Sequence, residues 1–84
     1  MDGAKQNQKK TLVFEVEFRS VGKEWVLKRH CPLIPFDLRF CDPEPGLGGA
    51  IGYARFIGRK TGGLIKVYGL GEKPRTILFP VERI

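Results

Sequence analysis

The residues of this chain whose types could do chemistry fall into four groups. His30, Cys31 and Cys41 are the soft metal-ligand candidates, with Asp42 next to them as a harder fourth. Zinc takes four ligands, usually with cysteines in closely spaced pairs. Here nine residues separate the two cysteines, and without Asp42 the set is one ligand short. The spacing predicts no metal site and reads the cysteines as small buried hydrophobes, with a disulfide geometrically allowed but not demanded. Asp37, Asp42 and Glu44 form the second group. Paired carboxylates can divide acid and base work or hold magnesium, but no nucleophile or base accompanies these. Asp42 and Glu44 each precede a proline and read as turn residues. The third group, Gly46-Leu47-Gly48-Gly49-Ala50, contains neither GxGxxG nor a Gly-Lys-Ser/Thr ending. It reads as a loop before a strand, and not as the phosphate-holding start of a helix.

The fourth group interleaves aromatic and basic residues: Tyr53, Arg55, Phe56, Arg59, Lys60, Lys66 and Tyr68. Proteins that bind single-stranded nucleic acid stack bases on exposed aromatics beside a cationic groove. Tyr53, Arg55, Arg59, Lys60, Lys66 and Tyr68 are therefore the candidate nucleic-acid or partner-binding residues. The competing reading puts Phe56 and one tyrosine in the core and leaves the cations on a solvated face. No catalytic residue, cofactor site or small-molecule substrate is assigned.

These groups must be positioned by a chain of 84 residues, enough for one small domain. Hydrophobic residues make up 42% and charged residues 29%, a globular balance. No apolar run approaches the roughly 18–20 residues of a membrane span. Residues 1–10 hold no apolar stretch, so no secretory signal and a cytoplasmic location are expected. A single histidine disfavours a His-centred triad, and the chain is read as non-catalytic. The net charge of +6 is uneven: +2 over residues 1–10, −1 over 11–45 and +5 over 46–84. Such a field suits nucleic acid or the acidic face of a protein, although solubility alone also rewards it.

Residues 1–10 read as a flexible basic tail and 11–84 as the domain. Over 11–19, Leu12, Phe14, Val16 and Phe18 share one face and Glu15, Glu17 and Arg19 the other, the signature of a half-buried strand. Residues 24–30 form a second strand across a turn at 21–23, and 36–41 a third. After a loop over 42–49, residues 51–58 and 64–70 read as a second hairpin around 60–63, which would set Arg55 near Lys66. Residues 76–82 make a last strand, marked as an edge by Pro80. With no helical periodicity, the pattern predicts an all-β fold, a small closed barrel of about six short strands. OB-like closure is favoured over SH3-like. Phe14, Val16, Phe18, Leu27, Leu38, Ile65 and Val67 are the expected core.

Taken in order, these residues also resemble a known family, the small RNA polymerase subunit that is the eighth subunit in eukaryotes and has a compact archaeal counterpart. The resemblance rests on Phe14 to Phe18, Gly22-Lys23, Lys28-Arg29-His30-Cys31 and Phe36-Asp37-Leu38. It continues in Gly52-Tyr53-Ala54-Arg55-Phe56-Ile57-Gly58 and Gly63-Leu64-Ile65-Lys66-Val67-Tyr68-Gly69-Leu70. Eukaryotic members carry a long insertion between the two halves, where this chain has only 42–49, so the archaeal form is the closer comparison. The resemblance implies an OB-like barrel acting as a non-catalytic accessory subunit of DNA-directed RNA polymerase. Such a protein docks on the largest subunit, supports assembly, touches nucleic acid weakly and is a monomer when isolated. The alternative is a stand-alone nucleic-acid-binding barrel, a single-strand or chromatin protein.

Overall fold

The computed structural model describes residues 11–30, 32–71 and 73–82. The basic tail at 1–10 and Cys31 lie outside the described residues, and so does the disulfide question. Five strands and one helix follow in the order β1 (Leu12–Arg19), β2 (Glu24–Leu27), β3 (Leu38–Cys41), α1 (Gly46–Ile57), β4 (Gly63–Tyr68) and β5 (Arg75–Phe79). They build one sheet in the order β3-β2-β1-β4-β5. The fold is small and β-rich, as the sequence pattern predicts, but the sheet is open. β3 and β5 are its edges, and the expected closed barrel of about six strands does not form.

Alternation sets β1 as expected. Its register places Val16 opposite Leu27 and Phe18 opposite Trp25 in antiparallel β2. On its other side β1 pairs with β4 in parallel, Phe14 opposite Ile65 and Val16 opposite Val67. Leu27 and Trp25 then meet Leu38 and Phe40 of β3, and Ile65 meets Ile77 of β5. Because side chains alternate across a strand, all these residues share one face. Phe14, Val16, Leu27, Ile65 and Val67 are fully buried there, with Ile34, Ala50, Ala54 and Phe79. Phe18 and Leu38, also expected in the core, are only half-buried.

The largest departure lies at 46–57, expected as a loop followed by a strand and in fact a 12-residue helix. Leu47, Ala50, Ile51, Ala54 and Ile57 recur at three- and four-residue steps and face the sheet. Ala50 and Ala54 are wholly buried, and their small size lets the helix lie close against β2 and β3. The glycines at 46, 48, 49 and 52 mask this stripe, since a glycine in a helix interior costs about 1 kcal/mol of propensity relative to alanine. A helix this short is marginal in isolation, so its stability comes from packing on the sheet.

The helix also explains the parallel pair. It carries the chain from the end of β3 back across the sheet, so β4 starts at the same end as β1. β4 begins at Gly63, where a β-carbon would sit 2.6 Å from the Leu12 carbonyl oxygen. Only glycine allows this approach without moving β1. The turn before it ends in Gly62 at φ +72°, a left-handed conformation that glycine adopts without steric cost.

Candidate nucleic-acid interface

The six sequence-predicted residues divide between the two sides of the sheet. Tyr53 and Arg55 lie on α1, and Arg59 and Lys60 lie in the turn that follows it. Lys66 and Tyr68 alternate with Ile65 and Val67 on β4 and so occupy the helix-free face. Arg55 is therefore not the cross-strand neighbour of Lys66. The partners of Lys66 are Glu15 on β1 and Thr76 on β5, and the expected cation pair is replaced by opposite charges.

The helix-free face is electrically balanced. Arg19 Nε donates to Glu17 Oε2 at 2.9 Å, and Arg19 Nη2 lies 3.8 Å from Asp37 Oδ2. Lys28 Nζ is 3.8 Å from Glu17 Oε1, and Arg39 Nε is 3.8 Å from Glu24 Oε2. The Glu17 hydrogen bond holds the Arg19 guanidinium above its ordinary pKa. With Glu15 and Lys66 this layer holds four charges of each sign. Val26 is fully buried on the same face, between Glu17 and Arg39 in register, where long charged side chains cover it with their stems. A face neutralised in this way exerts little pull on a polyanion.

The excess positive charge is left elsewhere. Besides Lys66, residues 46–71 carry three cations and no carboxylate, namely Arg55 in the last turn of α1 and Arg59 and Lys60 in the turn after it. One acidic residue, Glu82, adjoins that turn through its backbone N–H, which donates to the Arg59 carbonyl at 2.8 Å. Arg55, in the last helical turn, also suits the negative end of the helix dipole. Arg59 caps the helix: its Nη1 donates to the Phe56 carbonyl at 2.8 Å, and its Cζ lies 4.2 Å from the Phe56 ring centroid. Phe56 itself is 56% exposed, and Tyr53, tilted against Phe40 with centroids 6.4 Å apart, is 41% exposed. Cations and exposed aromatics thus share one helix and its turn. That combination can hold phosphates and offer ring faces at once.

A second feature lies on the helix side of the sheet at the carboxyl ends of β1 and β4. A groove of ≈ 330 Å³ is lined by Phe18, Trp25, Asp42, Gly69, Leu70 and Arg75. The Phe18 and Trp25 rings tilt at 57° with centroids 5.0 Å apart, and Trp25 Nε1 donates to Asp42 Oδ1 at 3.1 Å. Leu70 and Arg75 are exposed on the far side. Sequence reasoning places Phe18 in the core and passes over the groove. The signal for it is the 21–23 turn, whose register sets Phe18 against Trp25. A cleft of similar size at the opposite end, lined by Thr11, Thr61, Gly62, Gly63, Phe79, Pro80 and Val81, offers no charged group.

The carboxylates singled out above hold structure together. Asp37 Oδ1 accepts from the Arg29 backbone N–H at 2.7 Å, and Asp42 anchors the indole of Trp25. The His30 ring packs on Phe14, centroids 5.1 Å apart. Among the described residues no three His, Cys, Asp or Glu side chains gather as metal ligands. None of the described helices is long and apolar enough to cross a membrane. Comparison with known families, with curated proteins and with solved structures finds no match to this chain.

Proposed function

We propose that this domain is a non-catalytic binding module for single-stranded nucleic acid, held through the helix side of the sheet. The observation that carries this reading is the cation run Arg55, Arg59 and Lys60, three positive charges with Glu82 as an acidic neighbour, beside the exposed rings of Tyr53 and Phe56. Backbone phosphates supply the electrostatic part of such binding, and stacked bases supply the rest. Lys66 and Tyr68 belong to the balanced face and lie outside the interface. A fluorescein-labelled single-stranded 20-mer, followed by anisotropy at low salt, tests this. The double variant Arg55→Glu, Arg59→Glu weakens binding at least tenfold, while Lys66→Glu leaves it within twofold. Equal losses in both would overturn the assignment.

The accessory-subunit reading, docking on the largest subunit of RNA polymerase, draws on a different observation. β5 is an open edge strand, and Leu78 on it is 75% exposed. An exposed edge with an apolar rim invites a protein partner. This reading stands second because 52–57, within one of the two stretches behind the resemblance, is helical where the resemblance implies a paired strand. Co-purification of the tagged chain with polymerase from its native cell is its test.

A further inference from the structure

We propose that the groove between Trp25 and Arg75 seats one unpaired base of the bound strand, stacked on the indole, with an adjacent phosphate on the Arg75 guanidinium. This rests on the nucleic-acid reading above and adds the place where a base is held. Four features point to that ligand.

The first is rigidity. Trp25 is fixed at its edge by the Asp42 hydrogen bond and on its flank by the Phe18 ring 5.0 Å away. A platform already held in one orientation loses little rotamer freedom when a base lands on it. The second is size and shape. The groove is open along one side, and its ≈ 330 Å³ lies near the lower end of the roughly 300–1,000 Å³ of small-ligand sites. One flat ring fits such a space, and its neighbours along the strand stay in solvent. The third is charge. Arg75 is exposed at the rim, and a guanidinium presents a fork of donors that matches phosphate oxygens. Across from it, Asp42 keeps acceptor capacity beyond the single bond it receives from Trp25, which suits the amino group of adenine or cytosine. The +6 chain draws in a polyanion, and the aromatic floor then holds a base from it. The site also lies beyond the carboxyl ends of the parallel strands β1 and β4, where open sheets with parallel strands commonly hold ligands.

Trp25 is the only tryptophan in the chain, so its emission reports on this groove alone. Titrating the full chain with single-stranded (dA)10 should quench that emission in parallel with the anisotropy change of labelled (dA)10. Arg75→Glu and Leu70→Asp both alter exposed positions and spare the core. Each should reduce affinity by about 5- to 150-fold, the worth of one base stacked on an aromatic ring, and should abolish the quenching. Circular dichroism checks that both variants are folded. Binding by anisotropy without any change in Trp25 emission would overturn the groove and leave the nucleic-acid reading standing. Wild-type affinity in Arg75→Glu would do the same. No binding in either channel would overturn both. Quenching by adenosine monophosphate as tight as that by (dA)10 would make the groove a nucleotide pocket and overturn its role in holding a strand.

Discussion

Replacing Gly52 tests whether 46–57 is a helix lying on an open sheet. A β-carbon at position 52 meets no atom within 4 Å, so alanine adds no clash and loses less backbone freedom on folding. In a helix interior that exchange is worth about 0.8–1.0 kcal/mol. For a domain of this size 1 kcal/mol moves Tm by about 4–8 °C, so Gly52→Ala should raise it by about 3–8 °C. Gly52→Val should gain less, because a β-branched side chain loses rotamer freedom in a helix. Gly49→Ala is the control of opposite sign. Its β-carbon would fall 2.7 Å from Pro45 Cβ and 3.2 Å from the Phe40 ring, and relieving that overlap costs about 1–3 kcal/mol. Urea denaturation followed by Trp25 fluorescence measures all three variants at unchanged slope. In a strand, as in the barrel reading, valine would outrank alanine at position 52. A valine variant more stable than the alanine variant, or a stabilising Gly49→Ala, would refute the helix.

Three further outcomes follow from the packing and the edges. Phe14→Ala should cost about 3–5 kcal/mol because the ring is fully buried. Phe18→Ala should cost about 1–2 kcal/mol, since its half-buried ring already meets water; equal losses in denaturation would show that the groove is closed. The urea midpoint should be the same with and without a strong chelator, because three soft ligands with nine residues between the cysteines fall short of a zinc site; a drop would mean that His30, Cys41 and Cys31 bind a metal. Leu78→Asp should leave both stability and oligonucleotide affinity within experimental scatter, and it should abolish polymerase capture if β5 is a docking edge.

Alternation makes most of the sheet legible in the sequence. Leu12, Phe14, Val16 and Phe18 define β1 without ambiguity, and the fully buried members of the expected core lie on the predicted face. What alternation cannot say is which part of that face another element covers. Phe18 has the right parity for the core, but α1 packs mainly on β2 and β3 and leaves the carboxyl end of β1 open as a groove. The helix is hidden by composition. Gly46, Gly48 and Gly49 read as a loop and Gly52 as part of a strand, and the stripe of Leu47, Ala50, Ile51, Ala54 and Ile57 emerges only once Ala50 and Ala54 are counted as core residues. Reading that segment as a strand turns a parallel crossover into a hairpin. It thereby sets Arg55 beside Lys66, and it joins two sets of site residues that the sheet separates. Arg55, Arg59 and Lys60 remain together because they are close in sequence.

The salt dependence of single-strand binding tests the central claim most directly. Each phosphate neutralised on a single strand contributes about −0.7 to the slope of log K against log salt concentration. If Arg55, Arg59 and Lys60 each meet a phosphate, the slope should be about −2 or steeper. In the double variant Arg55→Glu, Arg59→Glu it should become shallower by about 1.4, and in Lys66→Glu it should not change. A wild-type slope near zero, or one that the double variant leaves intact, would contradict the proposal that the helix side of this sheet holds a nucleic-acid strand.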